Sequence, residues 1–535
     1  MTRKILLLLL LLINARISVQ GMAARRSIAE RCALAFVHKR KIMGSLMLAW
    51  QTDNYFVFNV SGGGWVAVTD GESSNSVLAY SDSGSLQVGT MPKSTMAWFD
   101  VLDKRLEVVG ERPRKTKYDR PSIAPLITSE WGQREPYNMF IPMVEDVFHP
   151  ENGWVHALTG CVATAVSQIM RYHRWPQDTC CVDSEVGNLH LKTYFEWDLM
   201  HDGYEPNDRS ESACAVAQLM YDVGRTIHSS YSIGGTGASD IEGIFYLVRH
   251  FGYSPLVRCH NYRLYSDEVW DSIVYQELAV SRPVMICGGD KSGQGKHAFI
   301  CDGYDSDGFF HLNWGWGGIG NGYYRFASMA VDYNDRKLDF QKWHAFTGIR
   351  KRTADEDSLL DVLTCHEVCL LDSFWHRDMI NADFPKFEIN FVHSNYTDQS
   401  NKGVDCAIGL FRNGMLVSNI QEWQYQESWV EEYRWDIISL GANLPDGTYQ
   451  LKLLWRHNNQ EEWRLAQYAE ENSVTLTIKG NVMWVSSMEN MPASVKDIPI
   501  CKLPQDAIYD LHGRRLLQQP ARGVYIENGR KKLGR

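Results

Sequence analysis

A cysteine stands at the start of the strongest helical segment of the chain. Residues 160–173 are mostly small and apolar and predict a helix, and Cys161 lies in its first turn. The unpaired N–H groups and the positive end of a helix dipole stabilise a thiolate at such a position, and those N–H groups can donate to an oxyanion. We therefore expect Cys161 to have a lowered thiol pKa and to act as a nucleophile. Taken alone, a cysteine at such a position is more often a buried structural thiol.

A histidine and a tryptophan-rich segment supply the partners that a nucleophilic thiol needs. His297 begins a predicted strand, and the following strand ends at Asn313. A β-hairpin would return Asn313 or Trp314 to His297, where either residue could orient the imidazole as a general base. The segment 313–318 holds two tryptophans and three glycines, which predicts close backbone approach beside an aromatic wall. Trp316 could instead serve only to pack the core.

Several ordered segments together resemble the streptopain family of papain-like cysteine peptidases. The matching stretches are Gly132-Gln133, Pro136-Tyr137-Asn138, Thr159 to Ala165, Gln168-Ile169-Met170, Tyr172-His173, His297-Ala298-Phe299 and Asn313 to Gly318. The similarity covers about 121–353, and residues 77–81 are similar to the prosegment of the family. The resemblance implies a secreted zymogen whose papain-like domain hydrolyses peptide bonds through an acyl-enzyme.

The resemblance also implies roles for individual residues. Cys161 would be the nucleophile, and His297 the general base and acid, oriented by Asn313 or Trp314. Gln133 would donate to the oxyanion together with the backbone N–H of Cys161. Gln133 could otherwise be a surface turn residue.

Substrate contacts are implied in a glycine-rich loop, residues 232–238, and around the histidine. The candidate substrate-binding residues are Gly235, Thr236, Gly237, Lys296 and Trp316. The loop could also be a plain connector. Lys296 departs from the family, which tends to have glycine before the histidine. Its ammonium is expected to disfavour the imidazolium and to lower the pKa of both His297 and Cys161. It could instead point into solvent, where salt screens its charge, or lie in a substrate pocket.

The surrounding elements predict an α+β protein with an all-β domain towards its C-terminal end. Helices are expected over 23–39, 160–173 and 213–223. The predicted units are an α+β prosegment over 22–120, the papain-like catalytic domain over 121–353 and a β-sandwich of immunoglobulin type over 356–480. The prosegment ends in a basic stretch, Arg112 to Arg120, where proteolytic cleavage is expected.

Both ends of the chain carry signals of export. Arg3 and Lys4 precede an apolar run, Ile5 to Ile13, so residues 1–21 predict a secretory signal peptide. Residues 501–535 resemble C-terminal sorting domains of proteins that certain bacteria export across the outer membrane. The tail could instead be a basic, strand-forming segment with no targeting role. These signals predict a secreted or cell-surface protein that could engage an outer-membrane secretion machinery.

Composition excludes several classes of function. The net charge of −10 argues against a general nucleic-acid binder, which needs a basic surface. The 12 cysteines are spread along 535 residues without a CxxC pair, which argues against a zinc site or a disulfide scaffold. We expect no metal or cofactor, and we expect most cysteines to be buried thiols.

Three functions are compatible with these residues. The first is a secreted cysteine endopeptidase that acts on proteins or peptides and is inhibited by its own prosegment. The second is a Cys-His acyltransferase of transglutaminase type, because the acceptor of the acyl group leaves no trace in sequence. The third is a non-catalytic surface adhesion protein with a degenerate peptidase domain, a reading that the presence of both Cys161 and His297 disfavours.

Overall fold

The structure, a computed structural model, describes most of residues 22–485 and four short pieces near the C-terminus. Within 22–485 it leaves out 71–75, 90, 92, 110–119, 178–184, 187–188, 191–194, 263–264, 289–295, 327–331, 334–335, 338–343, 371–373, 377–385, 395–402, 426–430, 441–443 and 459–461. Near the C-terminus it describes 508–509, 515–516, 523–527 and 530–534. The predicted signal peptide and the basic stretch up to residue 119 therefore lie outside the described residues.

Serine side chains begin three of the helices. The α-helices are α1 (22–39), α2 (Lys93–Val109), α3 (Cys161–His173), α4 (Glu211–Thr226), α5 (Asp240–Phe251) and α6 (Asp267–Ala279). The hydroxyls of Ser210, Ser239 and Ser266 accept hydrogen bonds from backbone N–H groups in the first turns of α4, α5 and α6. Gly252 ends α5 in the left-handed conformation, with φ +66°. The three helices that were expected are confirmed, whereas α2, α5 and α6 were not anticipated.

The strands alternate with these helices in the first half of the chain and follow one another in the second half. The first half holds β1 (Leu46–Gln51), β2 (Phe56–Val60), β3 (Trp65–Val68), β4 (Val77–Ser81), β5 (Met143–Glu145), β6 (Trp154–His156), β7 (Glu185–Val186), β8 (Leu189–His190), β9 (Arg258–Asn261), β10 (Val284–Gly288), β11 (His297–Tyr304), β12 (Phe310–Asn313), β13 (Gly322–Tyr324), β14 (Asp332–Tyr333), β15 (Arg336–Lys337) and β16 (His344–Thr347). The second half holds β17 (Thr364–Leu370), β18 (Phe374–His376), β19 (Phe387–Ser394), β20 (Val404–Arg412), β21 (Met415–Tyr425), β22 (Glu431–Ile438), β23 (Gly447–His457), β24 (Arg464–Leu465), β25 (Val474–Lys479), β26 (Val482–Val485), β27 (Ile508–Tyr509), β28 (Arg515–Leu516), β29 (Gly523–Glu527) and β30 (Arg530–Gly534).

One antiparallel sheet of ten strands runs through both the prosegment and the catalytic region. Its order is β1-β2-β3-β4-β13-β12-β11-β10-β16-β9. The two regions join where β4 pairs with β13, through Tyr80 opposite Tyr323 and Ala79 opposite Tyr324. The prosegment therefore adds four strands to the edge of the catalytic sheet, which satisfies the hydrogen bonds that the edge strand would otherwise leave open.

Helices cover both faces of this sheet. Helices α3, α4 and α5 form one hydrophobic core with residues of β10 and β11. Helix α6 packs on the opposite face, in a core that it shares with α2 of the prosegment. Helix α1 packs against β2, β3 and β4 in a separate core. In this layered arrangement α3 and β11 begin at the same end of the sheet. Cys161 and His297, the first residues of these two elements, therefore both lie there.

The region after residue 363 is a two-layered β structure. The strands β17, β19 and β22 form one sheet, and β18, β26, β25, β23, β20 and β21 form the other, with β24 beside β23. Side chains from both sheets, among them Ile389 and Leu451, share one core. The predicted all-β sandwich is confirmed in its two-sheet layout.

The chain divides into two compact units, 1–485 and 486–535. The described strands of the second unit form a sheet in the order β28-β27-β29-β30. Within the parts of the chain that the structure describes, no helix combines the length and the apolar character needed to cross a bilayer.

Candidate active site

The nucleophile candidate sits at the first residue of α3. Gly160 caps the helix with φ +94°, a backbone conformation that residues other than glycine rarely adopt. A Cβ at Gly160 would also lie 3.0 Å from Cγ2 of Thr236, so the glycine-rich loop packs directly against this turn. Two independent constraints thus explain the glycine that precedes Cys161.

The thiol of Cys161 is not activated in this form of the protein. Burial raises its pKa above the usual range, and the nearby Asp240 carboxylate raises it further. The backbone N–H groups of Ala298, Val162 and Cys161 lower the pKa, but they do not outweigh burial. The expectation of a lowered thiol pKa is therefore wrong for the precursor. The helix terminus supplies the predicted N–H groups, and desolvation of the sulfur overrides them.

The imidazole of His297 is held by a main-chain oxygen. Its Nε2 atom lies 2.7 Å from the carbonyl oxygen of Trp314. The ring stacks within 12° of the plane of Trp316, with centroids 5.6 Å apart, and also lies beside Trp314 and Phe299. Burial lowers the pKa of His297 to about 4, although the Trp314 carbonyl raises it. The imidazole is therefore neutral at pH 7, and Trp316 is part of its aromatic wall.

The side chain of Asn313 ties the end of β12 to the segment that holds Ser129 and to the turn that follows. Its Nδ2 donates to the carbonyl oxygen of Ser129 at 2.7 Å, and its Oδ1 accepts from the N–H of Gly315 at 3.1 Å. Of the two candidates that the sequence left open, the geometry brings the Trp314 carbonyl, and not the Asn313 side chain, to His297.

Gln168 is a buried residue whose part in the site was missed. Its Oε1 accepts from Ser129 Oγ at 2.9 Å and lies 3.3 Å from Asn313 Nδ2. It thereby links α3 to the segment before Gln133 and to the end of β12. A glutamine on the apolar stripe of a helix is a signal that could have identified it, since buried polar side chains need partners.

Gln133 lies beside the nucleophile with a free donor. Its carbonyl oxygen accepts from the N–H of Thr159 at 3.2 Å, which fixes it close to Cys161 in space. The side chain is buried, and its Nε2 has no hydrogen-bond partner within the described part of the chain. A buried, unpartnered donor is costly unless a ligand uses it, so the arrangement suits an oxyanion better than a surface turn.

The glycine-rich loop is anchored by its threonine. Thr236 Oγ1 donates to the carbonyl oxygen of Leu158 at 2.7 Å, and Gly237 exchanges two backbone hydrogen bonds with Ser230. Thr236 is buried, whereas Gly235 and Gly237 are exposed. The exposed backbone of Gly235 is therefore available to a substrate, whereas the Thr236 side chain and the backbone of Gly237 are already bonded within the protein.

A charged cluster beside the nucleophile was also missed. Asp240 is the first residue of α5, and its Oδ2 lies 2.8 Å from Nδ1 of His344. Burial opposes ionisation, but His344, backbone hydrogen bonds and Lys296 together lower the pKa of Asp240. Lys296 thus acts on Asp240, while burial and the Trp314 carbonyl account for the pKa of His297. The expected effect of Lys296 on the imidazole is not what this geometry favours.

The described residues offer no group of three or more His, Cys, Asp or Glu side chains suited to a metal ion. Cysteines 32, 161, 214, 259, 287, 301, 365 and 406 are free thiols, and the last five of them are buried. Cys161 therefore carries a free thiol, as a nucleophile requires.

Comparisons with known proteins place this geometry in a family. The profile of the Peptidase C10 family matches residues 131–324. Streptopain of Streptococcus pyogenes is 32% identical over 305 residues, which cover 52% of this chain and 74% of streptopain. The chain belongs to the Peptidase C10 family. It is a cysteine peptidase of streptopain type with a papain-like domain, as the sequence resemblance implied. Membership of this family disfavours the acyltransferase and adhesion alternatives.

Two further proteins of known sequence or structure are similar to parts of this chain. A thiol protease/hemagglutinin of Porphyromonas gingivalis is 31% identical over 297 residues, which cover 50% of this chain and 33% of that protein. A solved fragment of prointerpain A from Prevotella intermedia is 25% identical, covers 58% of this chain and 100% of the fragment, and has a TM-score of 0.48.

The first region is a prosegment. The profile described as Spi protease inhibitor matches residues 28–106, which span α1, β1 to β4 and most of α2. The peptidase is therefore made as a zymogen, with protein substrates and an inhibitor built into its own chain.

Proposed function

We propose that this zymogen is a secreted endopeptidase in which Cys161 attacks the peptide carbonyl and His297 transfers the proton. The hydrogen bond between His297 Nε2 and the Trp314 carbonyl carries this proposal. A carbonyl oxygen only accepts, so Nε2 must hold the proton and Nδ1 is left with its lone pair. Nδ1 is then the base that takes the thiol proton and later delivers it to the leaving amine.

The tetrahedral intermediate needs donors for its oxyanion. The N–H of Cys161 and the unpartnered Nε2 of Gln133 are the two groups that we assign to it. Loss of the amine leaves a thioester on Cys161, and water activated by His297 hydrolyses it. Asn313 acts as a positioning residue, because it holds the turn that carries the Trp314 carbonyl.

The precursor keeps this pair in its neutral form. A raised thiol pKa and an imidazole pKa of about 4 favour thiol and imidazole over thiolate and imidazolium at pH 7. The prosegment contributes to the same environment: Trp98 of α2 packs on Tyr324, and Tyr324 packs on Trp314. We infer that removal of the prosegment lets water reach the pair and permits ionisation.

Maturation by the enzyme itself follows from the same proposal. Arg120 is fixed on α6, with its guanidinium 2.6 Å from Ser272 Oγ and 4.8 Å from the ring centre of Tyr275. We therefore expect the cut before Arg120, in the basic stretch 112–119. Residues 1–21 would direct export. Residues 501–535 would act as a sorting tail and would have no role in catalysis.

The deciding experiment compares wild type with Cys161→Ala. The variant should neither digest casein nor react with a thiol-directed epoxide, and it should stay at full precursor length when purified alone. Normal hydrolysis or normal maturation by the variant would contradict the proposal. Deletion of 501–535 should leave purified activity unchanged and retain the protein in the cell.

A second pair of variants separates the two candidates for holding the histidine. Trp314→Phe keeps the main-chain carbonyl, so activity should fall only a few-fold. Asn313→Ala should lower activity more and also lower the melting temperature, because it frees the turn from Ser129 and Gly315. An inactive Asn313→Ala protein with an unchanged melting temperature would assign the direct role to Asn313.

A further inference from the structure

An exposed apolar surface lies on the hairpin that leads into the nucleophile. We define the hairpin surface by four residues with the exposed fraction of each side chain: Met143 46%, Val147 66%, Phe148 64% and Trp154 66%. In the pairing of β5 with β6, Glu145 is opposite Trp154 and Met143 is opposite His156. Directly opposed residues share a face of a β ribbon, so Met143 and Trp154 are diagonal neighbours on one side.

The tip of the hairpin is rigid. Asp146 Oδ1 accepts from the N–H groups of Phe148 and His149 at 3.1 Å and 3.0 Å, and its Oδ2 accepts from Asn152 Nδ2 at 2.9 Å. The N–H of Asp146 also donates to the carbonyl oxygen of Gly153. Val147 and Phe148 are thus presented to solvent by a fixed loop, and little conformational entropy is lost when a partner covers them.

The hairpin surface is continuous with the glycine-rich loop. The ring of Phe148 lies 3.1 Å from the position that a Cβ of Gly234 would occupy. Two residues later, Thr236 packs on Gly160 and bonds to Leu158, next to the nucleophile. A polypeptide lying along the exposed backbone of Gly235 would therefore meet Phe148 as it leaves the reacting bond.

The part of the prosegment that the structure describes does not cover this surface. The exposed fractions hold with the prosegment in place, and the prosegment joins the catalytic region at β13, on the far side of β11 and β12 from β10. As far as the described residues go, the surface is therefore available to a separate chain with the prosegment in place. The four side chains are uncharged, which favours an apolar partner, and the exposed Glu145 lies opposite Trp154 on the same face.

We infer that the hairpin surface binds an apolar segment of the protein substrate, outside the bond that is cut, and selects substrates that carry such a segment. This inference rests on the proposed peptidase function. It predicts that long substrates with Leu or Phe some residues away from the cleaved bond are preferred over short ones.

The test compares Phe148→Ser with Trp154→Ser, singly and together, in enzyme matured from the full chain. Met415→Ser and Val417→Ser are matched controls, since both residues are similarly exposed, at 71% and 50%, on β21 of the sandwich. The two substrates are a short fluorogenic peptide and a longer peptide that extends the same sequence with leucines. The double variant should lose about 10-fold in kcat/KM on the long peptide, mainly through KM, and keep its rate on the short one.

Three results would overturn the inference. They are equal losses on both peptides, no loss on either, and the same loss in the sandwich controls. A wild-type dimer that the double variant turns into a monomer would assign the surface to a second copy of the chain instead. If wild type and Cys161→Ala cleave neither peptide, the proposed function fails; if wild type cleaves both and the variants do not discriminate, only the present inference fails.

Discussion

The catalytic region is flanked by two partners that are held in different ways. The prosegment is held by ion pairs and a short stretch of strand pairing, in addition to an aromatic core that it shares with the catalytic region. Arg40 contacts both Asp305 and Asp307, at 2.5 Å and 2.8 Å, and Tyr80 donates to Asp305 at 2.6 Å. Only two residue pairs join β4 to β13.

The sandwich is held by buried rings. His366 of β17 stacks on Phe245 of α5, with centroids 4.5 Å apart, and Arg258 of β9 lies 4.4 Å from the ring centre of Tyr468. The hydroxyl of Tyr468 also donates to the carbonyl oxygen of Leu256. Ion pairs can be exchanged for water when a chain is cut, whereas buried rings cannot be exposed without a hydrophobic penalty. Both contacts bury rings, among them Trp98 of the prosegment on Tyr324, so the part of the prosegment contact that water can replace is the set of ion pairs at Arg40.

The largest effect is expected from removing the charge at the prosegment contact. Arg40→Met leaves Asp305, whose side chain is 6% exposed, without its cation, which should cost about 3–5 kcal/mol. Measured in a Cys161→Ala background, the free energy of unfolding should fall by this amount. In the active protein, peptidase activity should appear sooner.

The matched control for that variant is Arg25→Met. Arg25 pairs with Asp70 inside the prosegment, and its side chain is 36% exposed. The substitution Arg25→Met should change the free energy of unfolding by less than about 1 kcal/mol. Equal effects of the two substitutions would mean that the prosegment is not held by the Asp305 contact.

The next effect concerns the ring at the sandwich contact. His366→Ala removes a buried side chain from Phe245 and should cost about 2–3 kcal/mol, as for other buried rings. Maturation should keep its normal rate, because the prosegment is untouched. His201→Ala, at an exposed position, is the control. Faster maturation of His366→Ala would show that the sandwich contact also influences the prosegment contact.

Acid should weaken the sandwich contact. Burial, aided by Arg258, lowers the pKa of both His260 and His366 to about 3, against about 6.5 when unfolded. The unfolded chain therefore binds protons that the folded chain does not, and stability falls as pH drops below about 6.5. At pH 5 each histidine should cost up to about 2 kcal/mol. The free energy of unfolding should therefore fall as the pH is lowered from 7.5 to 5. The substitution His366→Phe should make this fall smaller.

The smallest effect is expected at the rim of the prosegment contact. Lys39 lies 3.1 Å from Asp307, but its side chain is 66% exposed, so solvent screens the pair. Lys39→Met should change stability by less than about 0.5 kcal/mol and leave maturation unaltered. A loss comparable to that of Arg40→Met would show that the number of charges, and not their burial, holds the prosegment.

Part of the fold was predictable because its signals are local. The apolar spacing of 160–173 predicted α3, and strand-like segments predicted the all-β character of 356–480. Helices α5 and α6 were missed although Ser239 and Ser266 precede acidic residues in a pattern typical of helix starts. The predicted border near residue 120 lies mostly outside the described residues, so it stays a prediction.

The amino-acid sequence by itself determined which side chains could do chemistry: a thiol at a helix start, a histidine at a strand start, and the tryptophan-glycine turn between strands. Their residue types and local periodicity carry that information. Only the tertiary structure decided which oxygen holds His297, because a main-chain carbonyl leaves no trace in residue type. It also decided the pKa of Cys161, since burial is a sum over residues distant in sequence that no local pattern records.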